Sequence, residues 1–281
     1  MRPPPIDWDT LRAVRFAKWQ GIGNHYLIVE RERWPIRITP ARAELICDPH
    51  FGVGGDGILE LDFETGGPRM TVWNPDGSQA ENCGNGIRMV ALHLAESGRL
   101  PADGVILTGG GPVRVRSLGG GLVEAAMGRA SFPDGERREE LAVNGSKVDL
   151  AVVTTGNPHA VIEHPDPAAV VRTLGPEIEI ADRFPERTNV EFVRVDGPSE
   201  ITMRVWERGV GETLACGTGA CAAAVAAVRL GGLTSPLTVH LAGGDLTIAV
   251  DDDLDVTMTG PAERVFEGEL AGPLVRRLEE L

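Results

Sequence analysis

The chain repeats itself at an offset of 133 residues, and this repeat constrains its fold more than any other feature. Cys83-Gly84-Asn85-Gly86 returns as Cys216-Gly217-Thr218-Gly219 (216 − 83 = 133). Gly23-Asn24 returns as Gly156-Asn157, Val72-Trp73-Asn74 as Val205-Trp206-Glu207, and Gly110-Gly111 as Gly243-Gly244, each at +133. Ala126-Met127-Gly128 answers to Met258-Thr259-Gly260 at +132, a slip of one residue. A short period would mean a solenoid, whereas one this long means two similar domains. The halves are expected at residues 1–130, completed by a C-terminal helix at 265–281, and at residues 131–264.

Within each half the pattern is of strands with one main helix, an α/β (α+β) arrangement. Residues 14–18 and 26–30 flank Gly21-Ile22-Gly23-Asn24 as a hairpin-like pair. Residues 40–47 are expected as a short helix, 58–62 and 70–73 as strands, and 85–97 as a helix closed by Gly98. Strands follow at 105–108, 113–117 and 122–127. The second half repeats them at 151–153, 160–162 and 202–206, with a helix at 218–230 and strands at 237–241, 246–250 and 256–259. The Gly-rich stretch 52–57 precedes a strand rather than a helix, so it is no dinucleotide fingerprint. Residues 130–146 are polar and carry Pro133-Asp134-Gly135, the pattern of a linker. Residues 270–281 read as a terminal amphipathic helix. No role is assigned to residues 1–12, where disorder is the default.

Composition removes several classes. The net charge of −14 (27 − 41), with no basic cluster, argues against nucleic acid. No apolar run is long enough for a bilayer. Residues 1–9 lack the basic-then-apolar order of a signal peptide, so a cytoplasmic setting is expected. There the four cysteines, Cys47, Cys83, Cys216 and Cys221, are expected to be reduced. No CxxC or HExxH occurs, so no metal is expected. Cys47 and Cys221 read as small buried apolar groups.

Cys83 and Cys216 read differently, because each stands just before a helix. At a helix N-terminus unpaired N–H groups and the macrodipole favour thiolate over thiol. The glycines let backbone N–H groups approach an anion closely, and Gly84, Asn85, Gly217 and Thr218 are the candidate donors. Asn85 and Thr218 are also candidate capping residues. Two such thiols on duplicated halves suit two opposed bases around one carbon.

Four segments carry a resemblance to a known family: NPDGSQAENCGNGIR at 74–88, GNPH at 156–159, NVEF at 189–192 and WERGVGETLACGTGAC at 206–221. They closely resemble diaminopimelate epimerase, in the right order, with the similarity running from about residue 16 to 260. The resemblance implies two similar α/β domains, each wrapping strands round a central helix, with the active site in the cleft between them. It implies an isomerase that interconverts LL- and meso-2,6-diaminopimelate without a cofactor, for lysine and peptidoglycan synthesis. One of Cys83 and Cys216 would be a thiolate base and the other a thiol acid, with roles exchanged by direction. Arg208 would bind the distal carboxylate with Asn74, Asn157 and Asn189 as amide partners, an Arg fork suiting a carboxylate. Glu207 would meet an ammonium group, His159 would assist thiol ionisation, and Asn24 would lie near the reacting amine. A homodimer is expected for the family.

The sequence departs from the family pattern at His25-Tyr26, where Asp-Phe is usual, at Trp19-Gln20, where Met-His is usual, and at Gly57, where some members carry Gln. These changes touch the entrance loop. Two alternatives stand beside the main reading: a related amino acid racemase of the same fold, and a thiol-redox or ligand-binding protein whose paired cysteines form a switchable disulfide.

Overall fold

Each half winds its strands around one buried helix. A computed structural model describes residues 14–81, 83–143 and 145–281, with the side chain of residue 146 also left aside. The expectation for residues 1–12 lies outside the described residues. The first half runs β1 (Arg15–Gly21), β2 (Asn24–Glu30), α1 (Pro40–Cys47), β3 (Ile58–Glu64), β4 (Gly67–Trp73), β5 (Gln79–Ala80), α2 (Gly84–Glu96), β6 (Asp103–Thr108), β7 (Gly111–Gly119) and β8 (Leu122–Arg129). The second runs β9 (Arg138–Val143), β10 (Ser146–Thr154), β11 (Pro158–Glu163), α3 (Pro167–Glu179), β12 (Asn189–Gly197), β13 (Glu200–Glu207), β14 (Gly211–Thr213), α4 (Gly217–Gly231), β15 (Leu237–Leu241), β16 (Gly244–Val250) and β17 (Asp255–Pro261). The chain closes with β18 (Glu263–Glu269) and α5 (Gly272–Glu280).

The repeat seen in the sequence is repeated in the strand pairing. β2 runs parallel to β3 and β11 parallel to β12, and the parallel contact of β4 with β6 recurs between β13 and β15. The register carries the one-residue slip: Leu27 pairs with Ile58, whereas Ala160 pairs with Val190, offsets of +133 and +132. The halves are joined edge to edge by β17 and β8, antiparallel from Asp255↔Arg129 to Pro261↔Leu122. β18 then crosses back to pair with β1.

Both central helices are buried over most of their length on all sides, the position of an interior helix. Every residue of α2 from Gly84 to Leu92 is buried, inside a shell that includes Trp19, Leu59, Met70, Val72 and Ile106. α4 occupies its barrel with small side chains, Ala220, Ala222, Ala223 and Ala224 among them, against Val153, Ile201, Met203 and Ile248. Alanine is the strongest helix former and lets the surrounding strands approach closely. The helix stops at Gly232, whose φ of 68° is left-handed and whose N–H reaches Ala227 O.

Three expectations change. Residues 130–146 are not only a linker: β9 lies within them and pairs antiparallel with β10. It opens with Arg138-Glu139-Glu140 and only Val143 is fully buried, which is why it lacks a strand signal. α3 adds a second helix to the second half, begun by an Asp166 cap and Pro167, and its Pro176 obscures the helical pattern. β18 is exposed along almost its whole length, so no burial pattern marks it. The terminal helix appears as expected, with Leu278 and Val275 packed into a cluster with Ile46 of α1. Among the described residues no helix is long and apolar enough to cross a membrane.

Candidate active site

Cys83 and Cys216 are the N-caps of the two central helices. Each has extended backbone, and each sulfur accepts a hydrogen bond from the amide two residues into the Cys-Gly-x-Gly motif's helix: Gly86 N at 3.3 Å and Gly219 N at 3.3 Å. Asn85 and Thr218 are therefore not the caps. They sit one residue inside the helix, and the thiols themselves take the capping role, since a sulfur at that position reaches the orphan N–H groups. The Thr218 hydroxyl lies 3.5 Å from the Cys216 sulfur.

The helices meet head to head. A Cβ placed on Gly84 would lie 3.4 Å from the Cα of Gly217. The unpaired N–H groups of both first turns thus converge on one region. None of the four cysteines is in a disulfide.

Helix position alone does not lower these thiols. Burial pushes both up, Cys216 well above the usual thiol value. For Cys216, Glu207 and Glu191 add to the rise, while Thr218 and the Gly219 N–H oppose it. For Cys83, hydrogen bonds from Tyr26 and the Gly86 N–H pull against burial, with a smaller push from Glu207 and a smaller pull from Arg88. Desolvation outweighs the helix terminus, correcting the expectation of plainly favoured thiolates. Cys47 and Cys221 are buried as expected, and both are pushed up to about 12 by burial.

A polar chain ties the halves together at the thiols. Asn24 Nδ2 donates to Asp56 (2.7 Å), and Asn85 Nδ2 donates to Asn24 Oδ1 (3.1 Å) and to Ala215 O (3.3 Å), the carbonyl just before Cys216. Arg88 then donates to Asn85 Oδ1 at 2.9 Å. This guanidinium is completely buried, and burial brings it down to about 10.

In the second half His159 and Glu191 form a fully buried pair, Nδ1 to Oε1 at 2.7 Å. The other ring nitrogen of His159 lies 3.0 Å from Asn157 Oδ1. The second Glu191 oxygen has no hydrogen-bond partner among the described residues. Glu207 accepts hydrogen bonds from Thr213 and from the Cys216 thiol, while burial holds its own carboxyl above the usual range.

Farther out, the turn carrying Arg208 is fastened from two sides. Asn189 Oδ1 accepts from Arg208 N at 3.0 Å, and its Nδ2 donates to Pro158 O at 3.1 Å. Glu179 of α3 accepts from Gly209 N at 2.8 Å and from Trp206 Nε1 at 2.7 Å. The Arg208 side chain is exposed and reaches Glu186 O at 3.2 Å. Asn74 caps its own turn through Ser78 (2.9 Å). Both Asn189 amide ends are thus engaged with backbone, making it a support for Arg208 as it stands.

Sequence reasoning assigned no role to Tyr26, Asp56, Arg88, Glu179 or Glu191. Two signals were available. Tyr26 is His159 minus 133, and its hydroxyl bonds Cys83. Arg88 and Glu191 lie inside the quoted segments. The departures at Tyr26 and Gly57 belong together: a Cβ on Gly57 would lie 2.6 Å from the Tyr26 ring and 2.4 Å from Trp73 O.

Solved structures place this architecture in a class of duplicated α/β folds shared with epimerases. A hydroxyproline epimerase from Agrobacterium vitis superposes with a TM-score of 0.72 over 94% of both chains, at 16% identity. A PhzF-family phenazine biosynthesis protein from Bacillus anthracis gives 0.68 over 93% of this chain and 100% of that one, at 18% identity. At such identities the likeness is one of fold. Sequence is more specific: the diaminopimelate epimerase family model matches residues 16–133 and 151–265. Diaminopimelate epimerases of Alkalilimnicola ehrlichii and Pelotomaculum thermopropionicum are each 44% identical, covering 92% and 91% of this chain and 98% of each relative. The chain belongs to the diaminopimelate epimerase family, and it is an isomerase of the epimerase type.

Proposed function

We propose that this protein interconverts LL- and meso-2,6-diaminopimelate in lysine and peptidoglycan synthesis, using Cys83 and Cys216 as the acid–base pair and no organic cofactor. The head-to-head meeting of two cysteine-capped helices is the observation that carries this reading. The thiolate of one cysteine takes the α-proton and becomes a thiol. The other thiol gives its proton to the opposite face and becomes the thiolate, so configuration inverts and no net proton is consumed.

The difficulty is the weak acidity of an amino acid α-carbon. Negative charge that develops on the substrate carboxylate would be met by the backbone N–H groups of Gly84, Asn85, Gly217 and Thr218. One preorganised donor of this kind is worth about 3–4 kcal/mol in the transition state. Asn24 would lie at the reacting amine. Arg208 would pair with the distal carboxylate, with Asn74, Asn157 and Asn189 around it, and Glu207 with an ammonium group. His159 would bear on thiol ionisation through Glu207.

The two halves would be residues 1–130 with 265–281, and residues 131–264. The protein would work in the cytoplasm as a homodimer. Val265 (54% exposed) and Phe266 (44% exposed) on β18 offer an apolar strip for such a contact.

The test is proton NMR of LL-diaminopimelate in D₂O with reduced protein, beside Cys83→Ala and Cys216→Ala. Loss of the α-proton signal with appearance of the meso isomer, absent in both variants, supports the reading. No exchange by the wild type would overturn it and favour a binding or redox protein.

A further inference from the structure

The two halves are copies, but the groups behind the two thiols are not. By the register and the repeat, Tyr26 corresponds to His159 (+133), Leu59 to Glu191 (+132), Asn74 to Glu207 (+133) and Arg88 to Cys221 (+133). Wherever the second half carries an acid near the site, the first carries a neutral residue. Where the first carries a buried cation, the second carries a thiol.

The Cys216 side is accordingly acidic. Glu191 is completely buried and pairs with His159, and a Cβ on Gly219 would lie 2.6 Å from its Oε1. Glu207 accepts from the Cys216 thiol. A carboxylate can only accept, so this bond keeps the proton on Cys216. Thr218 and the Gly219 N–H are the other polar groups at that sulfur.

The Cys83 side is mixed: Asp56 and Glu207 bear on its Tyr26, and the buried Arg88 lies in the first turn of its helix. The neighbours of Cys83 are the Tyr26 hydroxyl and the Gly86 N–H, with Glu207 pushing its proton affinity up and Arg88, by a smaller amount, pulling it down. Burial and the nearby anions hold the Tyr26 hydroxyl well above its usual value, so it keeps its proton and donates to the sulfur. Arg88 folds back over the first turn of α2. It donates to Gly84 O (3.2 Å), Asn85 Oδ1 (2.9 Å), Met258 Sδ (3.3 Å) and Pro261 O (3.3 Å). Among the described residues it makes no ion pair. A buried guanidinium without an anion is costly; Cys83 and Cys221 are the thiols that bear on it, and of the two Cys83 caps the helix turn that Arg88 folds over.

We propose that Arg88 is the buried counter-charge of the site, fixing the thiolate of the substrate-free enzyme on Cys83 and leaving the proton on Cys216. This rests on the two-thiol reading above. Arg88 touches no reacting atom, so it is a positioning residue that acts through Cys83 and the first turn of α2. One consequence is that the two directions of the reaction start from unequal states. The direction in which Cys83 is the base begins from the resting enzyme, and the other first requires the proton to move from Cys216 to Cys83.

The experiment is alkylation of the reduced, substrate-free protein with iodoacetamide across neutral to alkaline pH, with the Cys83 and Cys216 peptides quantified separately by mass spectrometry. The reagent is neutral, so the pH midpoint of each labelling curve reports ionisation rather than access. The Cys83 midpoint is expected below that of Cys216. Arg88→Met should raise the Cys83 midpoint by about one pH unit or more, and Arg88→Lys should restore most of it. A wild-type midpoint for Cys216 at or below that of Cys83 overturns the proposal. So does an unchanged Cys83 midpoint in an Arg88→Met protein that circular dichroism shows to be folded. Arg88→Gln is the second neutral variant should Arg88→Met not fold, and the wild-type ordering decides the thiolate's place in any event. α-Proton exchange by the same wild-type preparation tests the two-thiol reading separately. Ordered midpoints without exchange would sink that reading and leave the charge assignment standing.

Discussion

Gly84 and Gly217 face one another so closely that a Cβ on Gly217 would lie 3.3 Å from the Cα of Gly84, and a Cβ on Gly84 would also crowd Met127 Cε (3.2 Å) and Met258 Cε (3.3 Å). Two helix N-termini brought this near repel, since each carries about half a positive charge. An anion between them turns that repulsion into binding. The glycines are what permit the approach. Gly84→Ala and Gly217→Ala are each expected to push the helix ends apart and weaken the grip on a carboxylate. Stability should fall by about 1–3 kcal/mol, the usual range for overpacking. kcat/KM for diaminopimelate should fall by about tenfold or more, as the loss of about 1.4 kcal/mol of transition-state binding would give. Steady-state kinetics beside denaturant unfolding checks both, and a folded variant with wild-type kinetics would remove the anion-clamp role.

Glu207 pairs with the Cys216 thiol at a cost to the fold. Burial raises its carboxyl above the unfolded value, so the native state holds its proton to higher pH than the unfolded chain does. Stability from this group is therefore lost as pH rises from the unfolded value through the folded one, and the loss persists at neutral pH. Glu207→Gln should raise the thermal midpoint at neutral pH and leave it nearly unchanged in acid, where the native carboxyl is already protonated. The same substitution should lower kcat by about 10²-fold, the scale of a lost acid–base partner. Scanning calorimetry at two pH values beside the exchange assay would show it. A lower midpoint at neutral pH would mean that the hydrogen bonds of Glu207 outweigh its desolvation.

Much of this organisation is legible in the sequence because the duplication and the glycine-rich caps are local patterns. The hairpin at Asn24, both central helices and the cysteine positions follow from them. β9 and β18 escape because exposed strands carry no burial alternation. Asn85 and Thr218 look like caps by residue type, yet the sulfurs of Cys83 and Cys216 take that place. The electrostatics are the least legible. Whether a residue such as Glu191 or Arg88 is solvated or fully buried depends on strands and helices far apart in the chain, and a charge run in one dimension does not reveal it. Setting each half against the other at +133 or +132 recovers part of this, since Leu59 against Glu191 marks a position that changed from apolar to acidic.

The His159–Glu191 pair invites a double-mutant test built from that comparison. Removing one partner of a fully buried hydrogen-bonded pair leaves the other unsatisfied and costs about 1–3 kcal/mol. Glu191→Leu should do so, and His159→Phe likewise. The double variant, whose apolar pair resembles Tyr26 and Leu59 of the first half, should recover most of the loss, because only the half-buried Asn157 amide then loses a partner. Urea unfolding of the four proteins measures the coupling. Additive losses would show that His159 and Glu191 are not energetically joined.

Tyr26 gives the complementary test on the other thiol. Its hydroxyl bonds Cys83, while its buried ring fills the space above Gly57. Tyr26→Phe keeps the ring and removes only the donor, so the fold should change little, by about 1 kcal/mol, the net worth of a hydrogen bond. Loss of the donor leaves the Cys83 thiolate less stabilised, and its labelling midpoint should rise. kcat/KM should fall by about 10²-fold if the hydroxyl holds its bond through the transition state, as removal of one preorganised donor does elsewhere. Exchange kinetics for LL- and meso-diaminopimelate, measured separately, would then show the larger loss in the direction that uses Cys83 as base. Equal losses in both directions would mean that Tyr26 serves the carbanion rather than the thiolate.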